Sequence, residues 1–379
     1  MILQLVNEQQ ANWNDSSLID AIENILRAFS EKKHIVLASS FLFDNVKGNQ
    51  KFSEKIRNTA SVAKQYSRDF NALIKNNYVN SFIRIDLSKK NYFKELEDNG
   101  KKVLESGFGF FTDSFVTQNT SLIGEALDDS KFYVQIGDFY IRNNPILNKF
   151  ALNYCSSNGG GCQTAKVYND ILQQKRLCYC IVDSDKKHSY INSHRGETCK
   201  AFFKKAGEFK ETLFHQFGQV RILDVHEVES IIPFNILVKI VEDRERGEAQ
   251  IKTIQRLYRM IEKGSDIRKY LDHKKGLTKQ KAQELDKKYN KYYIPELNKL
   301  LGKNNKCFMH EDDENINCDD NCYSFAPMGN KLLTNSLEIL KEKTIDKNEI
   351  DKITLPYWEL IGKEIFSWCC CFKFPMKVS

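Results

Sequence analysis

The sequence lacks several features that would assign it to common protein classes. No apolar run approaches the roughly 18 residues that a membrane-spanning helix needs. The N-terminal residues have no basic stretch of the kind that begins a secretory signal peptide. Internal repeats and low-complexity tracts are absent too. We therefore expect a cytoplasmic protein with no membrane partner.

A nucleotide-binding loop is also missing. The triple-glycine segment that begins at Gly159 continues as Cys-Gln-Thr, without the lysine or the spacing of a phosphate-binding loop. Any ATPase that acts with this chain is therefore expected to be a separate protein.

The composition is that of an intracellular globular protein. The 379 residues leave room for two or three domains, and 41% hydrophobic content supports real cores. The eleven cysteines are odd in number, and Cys178 and Cys180 lie in an apolar segment. This pattern favours a reducing compartment over a disulfide framework.

One apolar run ends in a pair of carboxylates. The six β-prone residues 177–182 precede Asp183-Ser184-Asp185, which predicts a buried strand with two acidic residues at its tip. Strand side chains alternate, so both carboxylates are expected to point the same way. Open α/β sheets bind ligands beyond the carboxyl ends of their strands, and paired carboxylates suit Mg²⁺ or Mn²⁺. The alternative is a turn or a helix cap.

Strands and helices alternate around this motif, which predicts an α/β fold with a mostly parallel sheet flanked by helices. A helix that begins near Asp129 has apolar residues at helical spacing: Phe132, Tyr133, Ile136, Phe139 and Tyr140. In chain order, the elements are a strand ending at Glu125, this helix, a strand over 150–155 before Gly159–Gly161, a helix over 164–174, the Asp183 strand and a strand over 219–225.

This order resembles the TOPRIM domain, which is the catalytic module of topoisomerases, bacterial primases and the overcoming-lysogenisation-defect nucleases. The resemblance covers about residues 118–235. Glu125 matches the glutamate that follows the family's first strand, and Asp129 matches an aspartate four residues later. A segment at 134–138 is a poorer alternative because it has no glutamate. In the family a glycine usually follows the glutamate, whereas here Gly124 precedes it.

The later motifs follow in the family's order. The second strand ends in glycines, the next ends in Asp183 and Asp185, and a later E-x-E segment is matched by Glu227 and Glu229. The alternative for these two glutamates is the first turn of a helix, where the helix dipole favours acidic residues.

The resemblance implies a site that hydrolyses phosphodiester bonds with Mg²⁺ or Mn²⁺. Asp183 and Asp185 would be metal ligands, Glu125 a general base or a ligand of a second ion, and Glu229 and Glu227 direct or water-mediated ligands. Asp129 completes the catalytic set, and Lys186 or Lys187 would pair with a phosphate oxygen.

We expect a metal-dependent nuclease that cleaves DNA, or RNA such as tRNA. The resemblance implies that it is a toxic effector of antiphage defence, regulated by a separate ATPase or other protein. No strand-passage domain or N-terminal zinc module marks a topoisomerase or a primase. The alternative is a catalytically inactive TOPRIM-like protein that binds nucleic acid or acts as a scaffold.

Basic residues are concentrated near the C-terminus. Residues 268–306 contain twelve Lys and Arg against four Asp and Glu, a net charge of +8 compared with +7 for the whole chain. Tyrosines at 289, 292 and 293 could stack on bases there. The alternative is a solvated helical hairpin. With the basic loop 186–214, this stretch supplies the candidate nucleic-acid contacts: Lys187, Arg195, Lys287, Lys288 and Lys291.

A second candidate metal site, for structural zinc, comprises Cys307, His310, Cys318 and Cys322. It lacks the Cys-x₂-Cys pairs typical of zinc knuckles, so an exposed loop is the alternative. The three cysteines 369–371 predict a buried terminal strand instead.

The flanking regions are assigned by pattern alone. Residues 1–115 form an α/β region, either regulatory or an extension of the same sheet, and residues 236–379 form a mainly helical, basic region. In the first of these we predict helices over 16–32, 51–74 and 92–105 and strands over 34–39 and 81–86.

Overall fold

The structure is a computed structural model that describes residues 1–190, 195–203, 210–243, 247–301 and 322–373. Its strands are β1 (Ile2–Val6), β2 (Ile35–Leu37), β3 (Ser81–Asp86), β4 (Phe93–Asp98), β5 (Lys101–Gly107), β6 (Thr120–Gly124), β7 (Phe150–Leu152), β8 (Tyr154–Asn158), β9 (Cys178–Val182), β10 (Thr212–His215), β11 (Gly218–Ile222), β12 (Leu277–Thr278), β13 (Tyr323–Phe325) and β14 (Cys370–Phe372). Its helices are α1 (Ser16–Ser30), α2 (Ser40–Gly48), α3 (Glu54–Lys75), α4 (Leu127–Arg142), α5 (Thr164–Gln173), α6 (Glu197–Phe203), α7 (Phe234–Asp243), α8 (Glu248–Glu262), α9 (Lys279–Lys288), α10 (Tyr293–Leu301), α11 (Leu332–Glu342) and α12 (Leu355–Cys369).

The first five strands form an N-terminal sheet in the order β2-β1-β3-β5-β4. Four of them are parallel, and β4 runs antiparallel to β5 at the edge. Helices α1 and α3 lie close to where the apolar spacing predicted them, and β3 has the predicted bounds. The side chain of Asp15 begins α1 by accepting the Ser17 amide at 2.8 Å.

The predicted helix over 92–105 is wrong, because these residues form the hairpin of β4 and β5. The turn is Asn99-Gly100, with φ values of +51° and +72°. Two consecutive left-handed residues make the tight turn that matches strand twist, and Asn-Gly is its strongest sequence signal. The turn signal therefore outweighed the helical spacing of the apolar residues.

The second sheet has the order β10-β11-β9-β6-β8. Four of its strands, β8, β6, β9 and β11, are the ones predicted around the carboxylate motifs and run parallel, whereas β10 is antiparallel at one edge. All five residues of β9 are buried, as expected of a central strand covered on both faces. The predicted α/β class, with mostly parallel sheets flanked by helices, is confirmed.

The strand predicted over 150–155 is two strands. β7 pairs antiparallel with β14, whereas β8 pairs parallel with β6. Asn153 separates them, and its amide donates a hydrogen bond to Cys369 O at 2.8 Å. The predicted buried strand of terminal cysteines is confirmed for Cys370 and Cys371, which lie in β14, whereas Cys369 is the last residue of α12; all three are buried.

Helix α12 connects the two sheets. Trp368 Nε1 donates to Gln219 Oε1 at 2.6 Å, and the Thr120 hydroxyl donates to Trp368 O at 2.6 Å. Towards the N-terminal sheet, the Asn80 amide donates to Ser367 Oγ at 3.0 Å. One continuous apolar core includes residues of both sheets and of α12. Within the described ranges, no helix combines the length and the apolar character that crossing a bilayer requires.

A buried carboxylate fixes α12 to the second sheet. Glu364 accepts hydrogen bonds from the Tyr179 hydroxyl at 2.6 Å, from Gln219 Nε2 at 3.2 Å and from Arg221 Nε at 2.9 Å. Glu364 is 1% exposed, so its charge is removed from water and depends on these donors.

We expect Glu364→Ala to lower the free energy of unfolding by about 3 kcal/mol, because it leaves the largely buried Arg221 charge with only the more distant Glu211, at 3.8 Å, as a partner. The measurement is urea-induced unfolding of the full chain. Glu359→Ala is the matched control, since Glu359 is an exposed residue of α12 paired with Lys347, and its loss should cost less than about 1 kcal/mol. Equal effects of the two substitutions would contradict the prediction.

Candidate metal centre

The carboxyl ends of the parallel strands bring acidic residues together. Glu125 directly follows β6, and Asp183 directly follows β9. The Asp183 amide donates to Glu125 Oε1 at 3.0 Å, and the Thr198 hydroxyl donates to Oε2 of the same carboxylate at 3.3 Å. The alternative residue, Asp138, lies further along α4, where Arg142 is the charged group that acts on it. Glu125 is therefore the residue that the fold brings against the Asp-x-Asp segment.

Glycines let the backbone close tightly around Glu125. A Cβ at Gly124 would lie 2.7 Å from Asp129 Cβ, so the first turn of α4 packs directly on this glycine. The amides of Gly159 and Gly161 donate to the carbonyls of Gly124 and Glu125 at 2.9 and 3.0 Å. The glycine before Glu125, which departs from the TOPRIM pattern, thus has a local steric cause.

Asp129 fixes the start of α4. Its Oδ2 accepts the Ala126 amide at 2.7 Å, and the residue is 8% exposed. Tyr133 lies one turn later and is buried. Burial, together with the charges of Asp183 and Asp129, raises the pKa of Tyr133 well above its ordinary value. The phenol therefore stays protonated beside the carboxylates.

The Asp-x-Asp segment forms a turn, because β9 ends one residue before Asp183 and Asp185 has a left-handed φ of +53°. The Ser184 hydroxyl donates to Val225 O at 2.6 Å, and the Asp185 amide donates to His226 O at 3.0 Å. Strand alternation, from which we expected both carboxylates to point the same way, does not extend to these residues. Bonds to the loop after β11 hold the turn instead.

The carboxylate of Asp185 packs against a second backbone segment. A Cβ at Gly196 would lie 1.6 Å from Asp185 Oδ2, and the Gly196 amide donates to Ser184 O at 3.0 Å. Only glycine can occupy position 196 with this side-chain arrangement. The chain that begins α6 thus lies directly over the Asp-x-Asp turn.

A lysine from the C-terminal region enters the site. Lys274 Nζ lies 3.0 Å from Glu229 Oε1 and 3.2 Å from Glu227 Oε2. Although burial disfavours its charge, Glu229 and Glu227 raise the pKa of Lys274 above its ordinary value. Glu229 lies in a short 3₁₀ turn, Val228–Ile231, yet it is 2% exposed. A solvated first turn of a helix, the alternative for these glutamates, does not account for that burial.

These residues form one electrostatic unit, which we call the acidic cluster. Burial raises the pKa of Glu125 and of Glu229 to about 7 each. Burial, followed by the charges of Glu125 and Asp129, holds the pKa of Asp183 well above its usual range, and Glu229 and Glu227 act in the same direction. The acidic cluster comprises Glu125, Asp129, Asp183, Asp185, Glu227 and Glu229.

Three carboxylate oxygens of the acidic cluster are buried without a hydrogen-bond partner in the described residues: Asp183 Oδ1, Glu227 Oε2 and Glu229 Oε2. Glu227 Oε2 is nevertheless 3.2 Å from the Lys274 ammonium, so Asp183 Oδ1 and Glu229 Oε2 are the two that no described cation pairs. Buried acceptors of this kind are costly unless a donor or a cation meets them. The side-chain atoms that the acidic cluster offers to a metal ion are all oxygens, the ligand type that Mg²⁺ and Mn²⁺ prefer. The residues present therefore fit the ion that the sequence pattern implies.

The two lysines after the Asp-x-Asp turn have different surroundings. Lys186 is 7% exposed, with its Nζ 2.9 Å from Asp224 Oδ1 and 5.3 Å from the centre of the Tyr270 ring. Its charge is thus already paired, and it supports the turn. Lys187 instead lines a cavity of about 280 Å³ beside Asp272.

The remaining nucleic-acid candidates are spread over the surface. Lys287, Lys288 and Lys291 are exposed at and just beyond the end of α9. Arg195 directly precedes Gly196, so it lies on the segment that covers Asp185.

Part of the basic stretch is used inside the protein. Arg268 is 1% exposed, and its guanidinium donates to Asp351 Oδ2 at 3.0 Å and to Ile232 O. Tyr293 is 1% exposed and, with Tyr292, packs on the ring of a buried histidine, His188. These two tyrosines stabilise the fold rather than present a stacking surface.

The zinc prediction falls mainly outside the described residues. Cys307, His310 and Cys318 lie there, while Cys322 is partly buried just before β13. This site stays a prediction.

Sequence reasoning missed Thr198, Asp272 and Lys274 as members or neighbours of the site. Asp272 caps a turn, since its Oδ1 accepts the Lys275 amide at 2.8 Å. The sequence does indicate this turn, because Asp272 is followed four residues later by Gly276. Nothing in the sequence indicates that this turn packs against residues 226–229. That packing depends on the tertiary fold.

Comparisons with protein-family models, with curated proteins and with solved structures found no match to this chain. The resemblance to the TOPRIM domain therefore rests on the residues described above.

We expect Asp183→Asn to stabilise the protein in the presence of a chelator. The pKa values of Glu125 and Glu229 are raised to about 7 from an ordinary 4.5, so the folded state binds more protons than the unfolded state between these values. Their contribution to stability is therefore lost as pH rises through about 7. An asparagine cannot ionise, so replacing Asp183 by it should relieve the repulsion among these carboxyl groups by roughly 1 kcal/mol at pH 7.5, and by less at pH 5.5, where they are more fully protonated.

The measurement is urea unfolding of variant and wild type at both pH values. The difference between the two proteins is the quantity to compare, because His34 and His273, whose pKa values burial lowers, destabilise both proteins as pH falls. Asp128→Asn is the control: its carboxylate pairs with Lys131 at 2.8 Å, so its loss should not stabilise. A destabilised Asp183→Asn protein at pH 7.5 would contradict the prediction.

Proposed function

We propose that this chain is a TOPRIM-type nuclease that hydrolyses phosphodiester bonds in DNA or RNA with Mg²⁺ or Mn²⁺. The observation that carries the proposal is the acidic cluster at the carboxyl ends of parallel strands, with unpartnered oxygens on Asp183 and Glu229. Buried acceptors without a partner are costly, and a bound cation would remove that cost here. Ligand sites in open α/β sheets lie at this edge.

Asp183, Asp185 and Glu229 would hold the ion, which when bound neutralises phosphate charge and activates a water molecule. These residues come from two neighbouring loops whose backbones are tied together by the Asp185–His226 hydrogen bond. The ligands are thus oriented before any substrate arrives. Pre-orientation of this kind is what catalysis by a bound ion requires.

Glu125 has the properties of a general base. Its pKa is raised to about 7, so at neutral pH it is partly ionised and can accept a proton from water. The Thr198 hydroxyl and the Asp183 amide fix the direction of its carboxylate. Lys274 keeps its positive charge beside Glu229, where it offsets part of the negative charge that a phosphate would meet.

Positively charged groups near the cluster supply substrate contacts in this proposal. The cavity beside Asp272 is lined by Lys187, Lys275 and Lys281 together with tyrosines, of which Tyr323 is exposed. Ammonium groups and an exposed aromatic ring are the chemistry that binds a nucleic-acid strand.

The cellular role follows from the resemblance alone. We propose a cytoplasmic toxic effector of antiphage defence, held inactive or triggered by a separate ATPase or other regulatory protein, with DNA or RNA, including tRNA, as the substrate.

Asp185→Asn is expected to lower the rate of nucleic-acid cleavage with Mg²⁺ or Mn²⁺ by more than about a hundredfold. Substituting a residue that only hydrogen-bonds to a metal ligand already lowers metal affinity or activity by about 10- to 100-fold. Asp185 is proposed as a ligand itself, so its substitution should cost more. The assay uses duplex DNA, single-stranded DNA and RNA, and tRNA, each with and without chelator. Asp128→Asn is the control, because it removes an equal charge next to the cluster and should keep wild-type activity.

If Asp185→Asn cleaves at the wild-type rate, its catalytic role is refuted. If the wild type cleaves none of these substrates with either ion, the inactive scaffold becomes the better interpretation.

The triple substitution of Lys287, Lys288 and Lys291 by Gln is expected to weaken nucleic-acid binding and to flatten its salt dependence. Each phosphate that the variant no longer neutralises should reduce the log–log slope by about 0.9 for duplex DNA. Binding is measured by fluorescence anisotropy between low and moderate salt. The same change at the exposed Lys47, Lys51 and Lys55 of the N-terminal region alters net charge equally and serves as the control. Identical slopes for the two triple variants would assign residues 287–291 to a solvated helix end.

A further inference from the structure

His226 is a buried ring next to two carboxylates. It is 1% exposed, and neither of its ring nitrogens has a hydrogen-bond partner in the described residues. Such a group is costly to bury because it loses its bonds to water. The ring nevertheless faces polar atoms, since its Nε2 lies 3.5 Å from Glu227 Oε1 and 3.7 Å from Asp272 Oδ2.

These separations are too long for good hydrogen bonds but suit a shared ion. Metal–nitrogen and metal–oxygen bonds of about 2.0–2.1 Å place tetrahedral ligands about 3.3 Å apart. The three ligand atoms of His226, Glu227 and Asp272 all lie within 4.8 Å of one another. The two contacts to His226 Nε2 need a contraction of only a few tenths of an ångström to reach this spacing, and the two carboxylate oxygens, which lie at most 4.8 Å apart, must also move closer together.

The other oxygen of each carboxylate is already occupied. Asp272 Oδ1 accepts the Lys275 amide at 2.8 Å, and Glu227 Oε2 lies 3.2 Å from the ammonium of Lys274. These contacts orient both carboxylates with one free oxygen towards the ring. Ligands held from behind in this way are typical of metal sites.

We propose that His226 Nε2, Glu227 Oε1 and Asp272 Oδ2 bind a divalent transition-metal ion, such as Zn²⁺. The imidazole ligand distinguishes this site from the oxygen-only acidic cluster, because nitrogen ligands favour zinc and its neighbours over Mg²⁺. The inference concerns metal binding alone and does not depend on the proposed nuclease activity.

The ion would join two separate parts of the chain. The His226 amide donates to Lys269 O at 2.6 Å, and its carbonyl accepts the Asp185 amide at 3.0 Å. Coordination by His226 and Asp272 would therefore tie residues 269–272 to the loop after β11 and fix the backbone that holds the Asp-x-Asp turn. The site is structural in this sense, and it borders the acidic cluster, with which it shares Glu227 but not Asp183 or Asp185.

The test uses the full chain, freed of metal by a chelator and then titrated with Co²⁺ in millimolar Mg²⁺, which keeps the acidic cluster supplied. Co²⁺ bound by nitrogen and oxygen absorbs in the visible range, whereas thiolate ligands add a strong near-ultraviolet band that identifies any cobalt on cysteines. We expect His226→Gln and Asp272→Asn each to weaken the visible signal's apparent affinity by more than about tenfold. Competition with Zn²⁺ should remove the signal from the wild type.

Asp183→Asn and Asp128→Asn are the controls, and both should bind Co²⁺ as the wild type does. Two ligand variants are used because one of them could fail to fold, and circular dichroism checks the fold of each. The proposal is overturned if both ligand variants titrate like the wild type, or if Asp183→Asn loses the ion and they do not. It is also overturned if the wild type binds no Co²⁺.

Discussion

Repulsion among six carboxylates at one edge of a sheet is the constraint to which the rest of this structure responds. The parallel arrangement of β6, β9 and β11 forces Glu125, Asp183 and the residues after β11 together. Backbone amides, the Thr198 hydroxyl and the ammonium of Lys274 offset part of the charge. They come from distant parts of the sequence, so several elements are needed to assemble a single site. The charge that remains after this compensation is the feature on which the proposed cation site rests.

Much of the second sheet could be predicted because its signals are local. An apolar run such as 177–182 can only be a buried strand in a chain of this kind, and the stripe on α4 follows helical spacing. A helix was predicted where the β4–β5 hairpin lies, although Asn99-Gly100 is a signal for a hairpin turn. The spacing of the apolar residues was given more weight than this dipeptide. The split at Asn153 and the position of Lys274 depend on partners far away in sequence, which local patterns do not encode.

Charge counted along the sequence proved a poor guide to surface charge. Within the basic stretch, Arg268 is buried against Asp351, and Lys274 is held between two glutamates. The exposed lysines at 287, 288 and 291 remain available to solvent. A net charge over a segment therefore mixes residues that hold the fold together with residues that a partner could meet. Only burial and pairing separate the two groups.

The position of α12 has a consequence for synthesis. Its residues 355–369 join both sheets, yet they leave the ribosome after every strand except β14 has been translated. Until then the apolar faces that receive Trp358 and Trp368 are open to water, and the Arg221 guanidinium has no Glu364. The nascent chain can build each sheet locally but cannot join them, because the contacts that do so are far apart in sequence. The two sheets thus become joined only after α12 has been translated.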